Sequence, residues 1–233
     1  MKKVFVAGST GLIGQQFVKE ALRRGIKVTT LTPDLKSTKI EKHKDLELIE
    51  GTILDDALVS KTLKDHKYVL STLGDFDEYN PDQSVPHFRV KGTKHLIKAC
   101  RENSIQKLVV LLGASLLKDK DGNRIFDLPD PSSHIEALAT DFEQTRRMWE
   151  TWNLLQESGI NWTAFCPGKV VPGEKSSEYT VEADHLCDEV AMEKVVVGDL
   201  VDAIINEFEK DQLKGKLVGI KTKSMEKTFK VAQ

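Results

Sequence analysis

Apolar residues come in short runs along this chain, and amphipathic stretches separate the runs. KKVFVAG is a five-residue apolar core ending in glycine, the pattern of a buried strand. After Gly11, the residues Ile13, Phe17, Val18, Ala21 and Leu22 recur at helical spacing, and Gly25 stands where a C-terminal glycine cap belongs. IKVTTLT is rich in β-branched residues and predicts a second strand, completing a βαβ unit. LELIEG reads as a strand, DDALVSKTLKD as a helix with Asp55 or Asp56 near its N-terminus, and KYVLSTLG as a strand. After a polar loop with Pro81 and Pro86, FRVKGTKHLIKACREN predicts a helix with Val90, Leu96, Ile97 and Cys100 inward. KLVVLLGAS is nearly all apolar, as a central parallel strand covered on both faces must be. A charged, proline-bearing loop over Lys118 to Ser133 leads into the helix DFEQTRRMWETWNLLQESG, the strand NWTAFCPG, the helix VGDLVDAIINEFEKD and the strand KLVGIKT.

Strands alternating with helices over the whole length predict a doubly wound α/β fold with a mostly parallel sheet of about seven strands. The expected organisation is a single domain over residues 1–233, with an irregular, charged insertion from Val171 to Glu193 lying over the ligand edge of the sheet. Composition narrows the class. The chain has 233 residues, 39% hydrophobic and 30% charged, and a net charge of -2. That balance gives no reason to expect nucleic acid or an anionic membrane as partner. The lysines at 36, 39, 42 and 44 read as a solvated loop, since acidic residues follow at once. Three scattered cysteines make neither a disulfide framework nor a zinc pattern, which suits a reducing compartment. The apolar run after Lys2 and Lys3 stops at Gly8, too short for a signal-peptide core, and no 18-residue apolar segment exists. The expectation is a cytoplasmic protein, monomeric, acting on a small molecule.

The glycines at 8, 11 and 14 sit between the first strand and the first helix, in the stretch AGSTGLIG. In a nucleotide-binding turn of this kind one glycine permits the tight backbone. Another lets the chain approach a pyrophosphate, and a third lets helix and strand pack closely. The spacing here is G-x-x-G-x-x-G. With STLG after the fourth strand, LLGAS after the fifth and LLQESGINWTAFCPG near the sixth, most of the chain resembles the short-chain dehydrogenase/reductase superfamily, in its extended and atypical branches. The last stretch is similar to the "SG–x–x–(W/Y)–T–x–x–x–PG" stretch of NmrA-like proteins and of the biliverdin-IXβ/flavin reductase group.

The resemblance implies a Rossmann fold and a nicotinamide cofactor. It implies that Gly8, Ser9, Thr10, Gly11, Leu12, Ile13 and Gly14 hold the pyrophosphate. Thr52 and Ile53 stand where the family has an Asp followed by an apolar residue beside adenine; Thr52 departs from that Asp and leaves a backbone contact. Leu73 and Gly74 would flank the adenosine ribose. Ser115 matches the hydroxyl residue near the nicotinamide, and Pro167 and Gly168 would line the carboxamide pocket. For the choice of cofactor, an acidic residue after the second strand favours NAD and an arginine favours NADP. In TLTPDLKSTK the arginine that would align near Pro33 in resembling NADP reductases is absent. Asp34 lies close to the acidic spacing but is also a natural turn residue after Pro33, and Lys36, Ser37, Thr38 and Lys39 could form a phosphate site. Because the resembling reductases use it, NADP is expected, with NAD as the alternative.

Most short-chain dehydrogenases use a Tyr-x-x-x-Lys pair for proton transfer. Here the tyrosines are Tyr68, Tyr79 and Tyr179, and four residues on stand Thr72, Gln83 and Ala183. Alcohol dehydrogenation and sugar epimerisation through tyrosine are therefore disfavoured. What remains is hydride transfer to an acceptor needing little acid help, such as a flavin, a quinone or a conjugated small molecule, with Ser115 orienting it or else only capping a turn. The alternatives are dinucleotide binding without turnover, as in NmrA-like redox regulators, or an epimerase or dehydratase using other groups. His134 before a helix reads as a surface residue, and Cys166 as inert core. Trp149 and Trp152 read as packing residues or a wall of the substrate site, and Arg146 and Arg147 as a solvated face or an anion contact. Asp184, His185 and Cys187 have no partner pair at metal-ligand spacing, so no metal is expected.

Overall fold

The computed structural model describes residues 2–36, 40–74, 88–124, 127, 142–176, 178–187 and 194–223. In chain order the elements are β1 (Lys3–Ala7), α1 (Leu12–Arg23), β2 (Lys27–Thr32), β3 (Leu46–Glu50), α2 (Asp56–Leu63), β4 (Tyr68–Ser71), α3 (Phe88–Glu102) and β5 (Lys107–Leu111). They continue with α4 (Phe142–Gln156), β6 (Trp162–Phe165), β7 (Lys169–Val171), β8 (Tyr179–Ala183), β9 (Lys194–Val196), α5 (Val197–Lys210) and β10 (Lys216–Thr222). Each strand and helix that the hydrophobic pattern predicts is present. The main sheet has eight strands in the order β3-β2-β1-β4-β5-β6-β10-β8, and β7 pairs with β9 apart from it.

The chain forms two compact units, Met1–Val110 with Arg146–Trp162, and Leu111–Thr145 with Thr163–Gln233. In the first, β1 lies between β2 and β4 and is parallel to both, with Val4 opposite Val28 on one side and Tyr68 on the other. After β1 the chain builds outward to β2 and β3, then returns to the opposite side of β1 with β4 and β5. That reversal makes the C-terminal ends of β1 and β4 a topological switch point, where open α/β sheets leave a crevice for ligands. α1 covers the sheet with Gly14, Phe17, Val18 and Ala21. α3 buries Val90, Leu96, Ile97 and Cys100, the face expected of it, and burial pushes the Cys100 thiol up to about 12. Asp55 caps α2 by accepting from Leu58 N at 3.0 Å, while Asp56 pairs with Lys98. All five residues of β5 are buried, as a central strand requires. Within the described part of 33–45, the crossover from β2 to β3 carries no helix. A cavity of about 670 Å³ lies between Ile40–His43 and the outer side of α1.

In the second unit β10 lies between β6, to which it is parallel, and β8, to which it is antiparallel. β8 is the eighth strand of the sheet and falls inside the stretch read from sequence as irregular. Its signal is short: YTVEA alternates over only five residues within a charged stretch, buries no residue fully, and leaves Val181 38% exposed. α5 packs Leu200, Val201, Ile204, Ile205 and Phe208 inward. At its start the fully buried Asp199 accepts from Ser176 N (2.7 Å), Ser176 Oγ (2.7 Å) and Thr222 Oγ1 (2.6 Å). One turn on, Asp202 accepts from Tyr179 Oη at 3.0 Å and pairs with Lys175 at 3.0 Å. Gly173, Lys175, Ser176 and Tyr179 are thus fastened to the first two turns of α5.

Candidate functional site

The turn between β1 and α1 uses its three glycines differently. Gly8 has φ +88°, and a Cβ there would lie 2.7 Å from Thr72 Oγ1 and 2.9 Å from the Thr72 carbonyl. Gly14 is helical, but a Cβ on it would collide with Gly8 O and come within 2.8 Å of Ser9 Cα. The folded chain itself therefore demands both. Gly11 is the N-cap of α1 at φ -78°, ψ 167°, and the nearest atom to a Cβ there is Gly8 O at 3.7 Å. Neither backbone strain nor internal packing calls for glycine at this position. Its open side faces away from the protein, where a close-approaching ligand would need it bare. α1 begins with no side-chain cap and no acidic residue in its first turn, so its N-terminal amides and positive dipole end are offered outward. Thr10 and Leu12 are exposed beside them.

Ser9 can meet a phosphate only through its backbone. Its side chain points under the turn and is 1% exposed, with Oγ 2.7 Å from Thr30 Oγ1. Only its backbone N–H remains for a phosphate.

The residues expected around adenosine converge at Gly92 of α3. A Cβ at Gly92 would lie 2.8 Å from Leu73 Cδ1 and 3.1 Å from Ile53 Cγ2, so Ile53 and Leu73 meet over that bare helix position. Nothing in the sequence pattern marks Gly92, because its need arises from two loops that only the fold brings together. Ile53 O accepts from His95 Nδ1 at 2.9 Å, which fixes the loop after β3. Thr52 Oγ1 accepts from Leu54 N at 3.3 Å and Gly74 is half-buried. Asp34 is exposed and acts as a turn residue: Oδ1 accepts from Lys36 N at 2.7 Å, and its carbonyl accepts from Thr32 Oγ1 at 3.2 Å. Ser37, Thr38 and Lys39 lie outside the described residues.

In the second unit, the ends of β5 and β6 are tied by Leu112 N to Phe165 O at 2.8 Å and Ala114 N to Pro167 O at 3.3 Å. This brings Ser115 and the Pro167–Gly168 pair to the same pair of strand ends. Ser115 sits in a 3-10 turn, Ala114–Leu116, and is 6% exposed. Its Oγ has no hydrogen-bond partner among the described residues. A buried hydroxyl without a partner costs stability, and such groups concentrate where a ligand completes the bonding.

The remaining candidates fall into packing roles or outside the site. Tyr179 bonds Asp202, and burial pushes its phenol up to about 12. Trp149 and Trp152 stack edge to face at 5.0 Å. Arg147 is buried and Arg146 exposed, so only Arg146 fits a solvated face. Cys166 is buried. Asp184 pairs with Lys216 at 2.7 Å, and no metal-holding group of three or more His, Cys, Asp or Glu occurs among the described residues. His134 lies outside the described residues. No helix among the described residues is long and apolar enough to cross a membrane.

The chain is 26% identical to an uncharacterised, chloroplastic protein of Arabidopsis thaliana over 214 residues, covering 88% of this chain and 73% of the relative. Its fold matches a Streptococcus pneumoniae protein assigned provisionally as an NADH-flavin reductase. The TM-score is 0.76 at 22% identity, over 96% of this chain and 100% of that one. It also matches ChuY, an anaerobillin reductase from Escherichia coli O157:H7, with TM-score 0.74 at 13% identity over 95% and 98% of the two chains. These two likenesses establish the fold. The glycine turn, the uncapped helix start and the switch point fall inside a family match that spans residues 8–208, and the chain belongs to the NAD(P)H-binding family.

Proposed function

We propose that this protein is an NAD(P)H-dependent reductase of the atypical short-chain type, that it uses NADP(H), and that it reduces a flavin, a quinone or another conjugated small molecule. The observation that carries the nucleotide part is Gly11, left open between two glycines that the fold itself requires. In this reading the turn from Gly8 to Gly14 holds the pyrophosphate against the start of α1, chiefly through the free backbone amides of Leu12, Ile13 and Gly14. Ile53, Leu73 and Gly74 border the adenosine, with Thr52 contributing backbone only. Asp34 is occupied in its turn with Lys36, which leaves it poorly placed to grip a ribose diol and favours the 2′-phosphate form. Pro167 and Gly168 border the nicotinamide end.

The bound dinucleotide supplies a hydride. The chain supplies position: Ser115 presents a buried hydroxyl that donates to the acceptor and polarises it. The acceptor takes two electrons and one proton as the hydride, and its second proton comes from solvent, which is why no Tyr-x-x-x-Lys pair is needed. The reductase descriptions carried by the Streptococcus and Escherichia proteins support this choice of chemistry. The test is direct. Protein and NADPH or NADH are mixed with FMN, a benzoquinone or biliverdin, and absorbance at the nicotinamide band is followed. Oxidation of NADPH in excess over NADH with at least one acceptor is expected. Tight binding of NADPH without oxidation by any acceptor would overturn the reductase reading in favour of a binding protein.

A further inference from the structure

We propose that Thr30 of β2 and Thr72, directly after β4, are positioning residues that aim the glycine turn at the dinucleotide phosphates. The proposal rests on the nucleotide reading of that turn. Both threonines flank β1, one from each side of the switch point, and both direct their hydroxyls at the turn. Thr72 Oγ1 donates to Gly8 O at 2.9 Å, with Ala7 O at 3.2 Å, and its backbone N donates to Ala7 O at 2.9 Å. Thr30 is fully buried, with Oγ1 2.7 Å from Val6 O and 2.7 Å from Ser9 Oγ. A carbonyl only accepts, so the single Thr30 proton goes to Val6 O and Ser9 donates its own to Thr30 Oγ1. A relay of Ser9, Thr30 and Val6 O therefore clasps the turn from the β2 side, and Thr72 clasps it from the β4 side.

The turn needs these clasps. Its amides bind a phosphate only if they converge, and the hydrogen bond within it from Gly11 N to Gly8 O is long, at 3.3 Å. Gly8 and Gly11 give it conformational freedom, and no side chain caps α1. At Thr30 valine would serve the buried strand as well as threonine does, and at Thr72, half-buried just after β4, it would keep the β-branched shape. What threonine adds is one hydroxyl, and at both positions that hydroxyl reaches the turn or the strand end feeding it. The cost of ordering the amides is then met in the folded protein rather than on binding.

The test compares Thr30→Val, Thr72→Val and Ser9→Ala with Thr30→Ser and Thr72→Ser, reading Kd for NADPH, ADP and adenosine by calorimetry and Tm by scanning fluorimetry. Each valine variant is expected to weaken NADPH and ADP about five- to tenfold, the span of one net hydrogen bond. Adenosine affinity should stay within about twofold, and the serine variants should recover the phosphate-bearing ligands. Ser9→Ala leaves both strands untouched and should shift ADP in the same direction, so the question stays open to test if a valine variant fails to fold. A lowered Tm with unchanged ADP-to-adenosine preference would overturn the proposal and make the threonines purely structural. A wild-type protein that binds none of the three ligands would instead overturn the cofactor reading on which it rests.

Discussion

Gly11→Ala and Gly14→Ala change the same atom count three residues apart, and opposite outcomes are expected. Alanine at 11 meets open space at an ordinary backbone angle, so Tm should stay near wild type while NADPH Kd rises about tenfold or more, the methyl group occupying the phosphate's approach. Alanine at 14 runs into the Gly8 carbonyl and should cost about 1–3 kcal/mol in denaturant melts before any ligand is added. Ser115→Ala gives a third pattern. It removes a buried hydroxyl that has no partner among the described residues, so stability should hold or rise slightly, while kcat falls about tenfold and NADPH Kd does not move. Full activity in that variant would return Ser115 to a turn residue. The glycine spacing was legible in the sequence; which glycine serves the fold and which serves the ligand was not. That division depends on Thr72, more than sixty positions from Gly8, and on how Gly14 packs against the Gly8 carbonyl.

Among the elements, helices and covered strands declared themselves through periodicity, because a face that must be buried restricts every second or every third and fourth residue. β8 did not stand out, because its alternation of Tyr179, Val181 and Ala183 with Thr180 and Glu182 runs for only five residues inside a charged stretch. The segment before it is organised chiefly by bonds to the carboxylates of Asp199 and Asp202, and no periodicity records that. Asp199→Ala should therefore be severe. It leaves Thr222 Oγ1 and the Ser176 amide without their acceptor and is expected to cost about 2–4 kcal/mol in urea unfolding, against about 1 kcal/mol for Ser176→Ala, whose backbone N–H still reaches Asp199. Limited proteolysis of Asp199→Ala should cut first between residues 173 and 179, where Gly173 O accepts from Gly198 N and Lys175 reaches Asp202. Equal protease resistance in the two variants would count against the fastening described.

For the molecule as a whole, His66 ties stability to pH. The ring is 2% exposed, lies edge-on to Phe5 at 6.2 Å, and has no hydrogen-bond partner on either nitrogen among the described residues. Burial and then the charge of Lys3 hold its pKa down at about 4, against 6.5 when unfolded. Above pH 6.5 the ring is neutral folded or unfolded and contributes nothing to the slope. Between 6.5 and about 4 the unfolded chain takes up the proton first, so stability falls as pH falls through that window. Chemical denaturation at pH 7.5, 6, 5 and 4.5 should show the loss, and His66→Leu should flatten it; an unchanged slope in that variant would remove His66 as its source. The α/β class and the parallel strands were readable from alternation alone. The strand order was not, because pairing partners such as β1 and β4 are set by crossovers rather than by any local pattern.

The open Gly11 has a consequence for descent. Selection for a folded, abundant chain alone would preserve the outer two glycines and would let the middle glycine drift to alanine or serine. Among diverging relatives, that one position would then separate lineages still carrying a dinucleotide from lineages that keep the scaffold and have let the ligand go. The record of lost catalysis would be written in a residue that folding never needed.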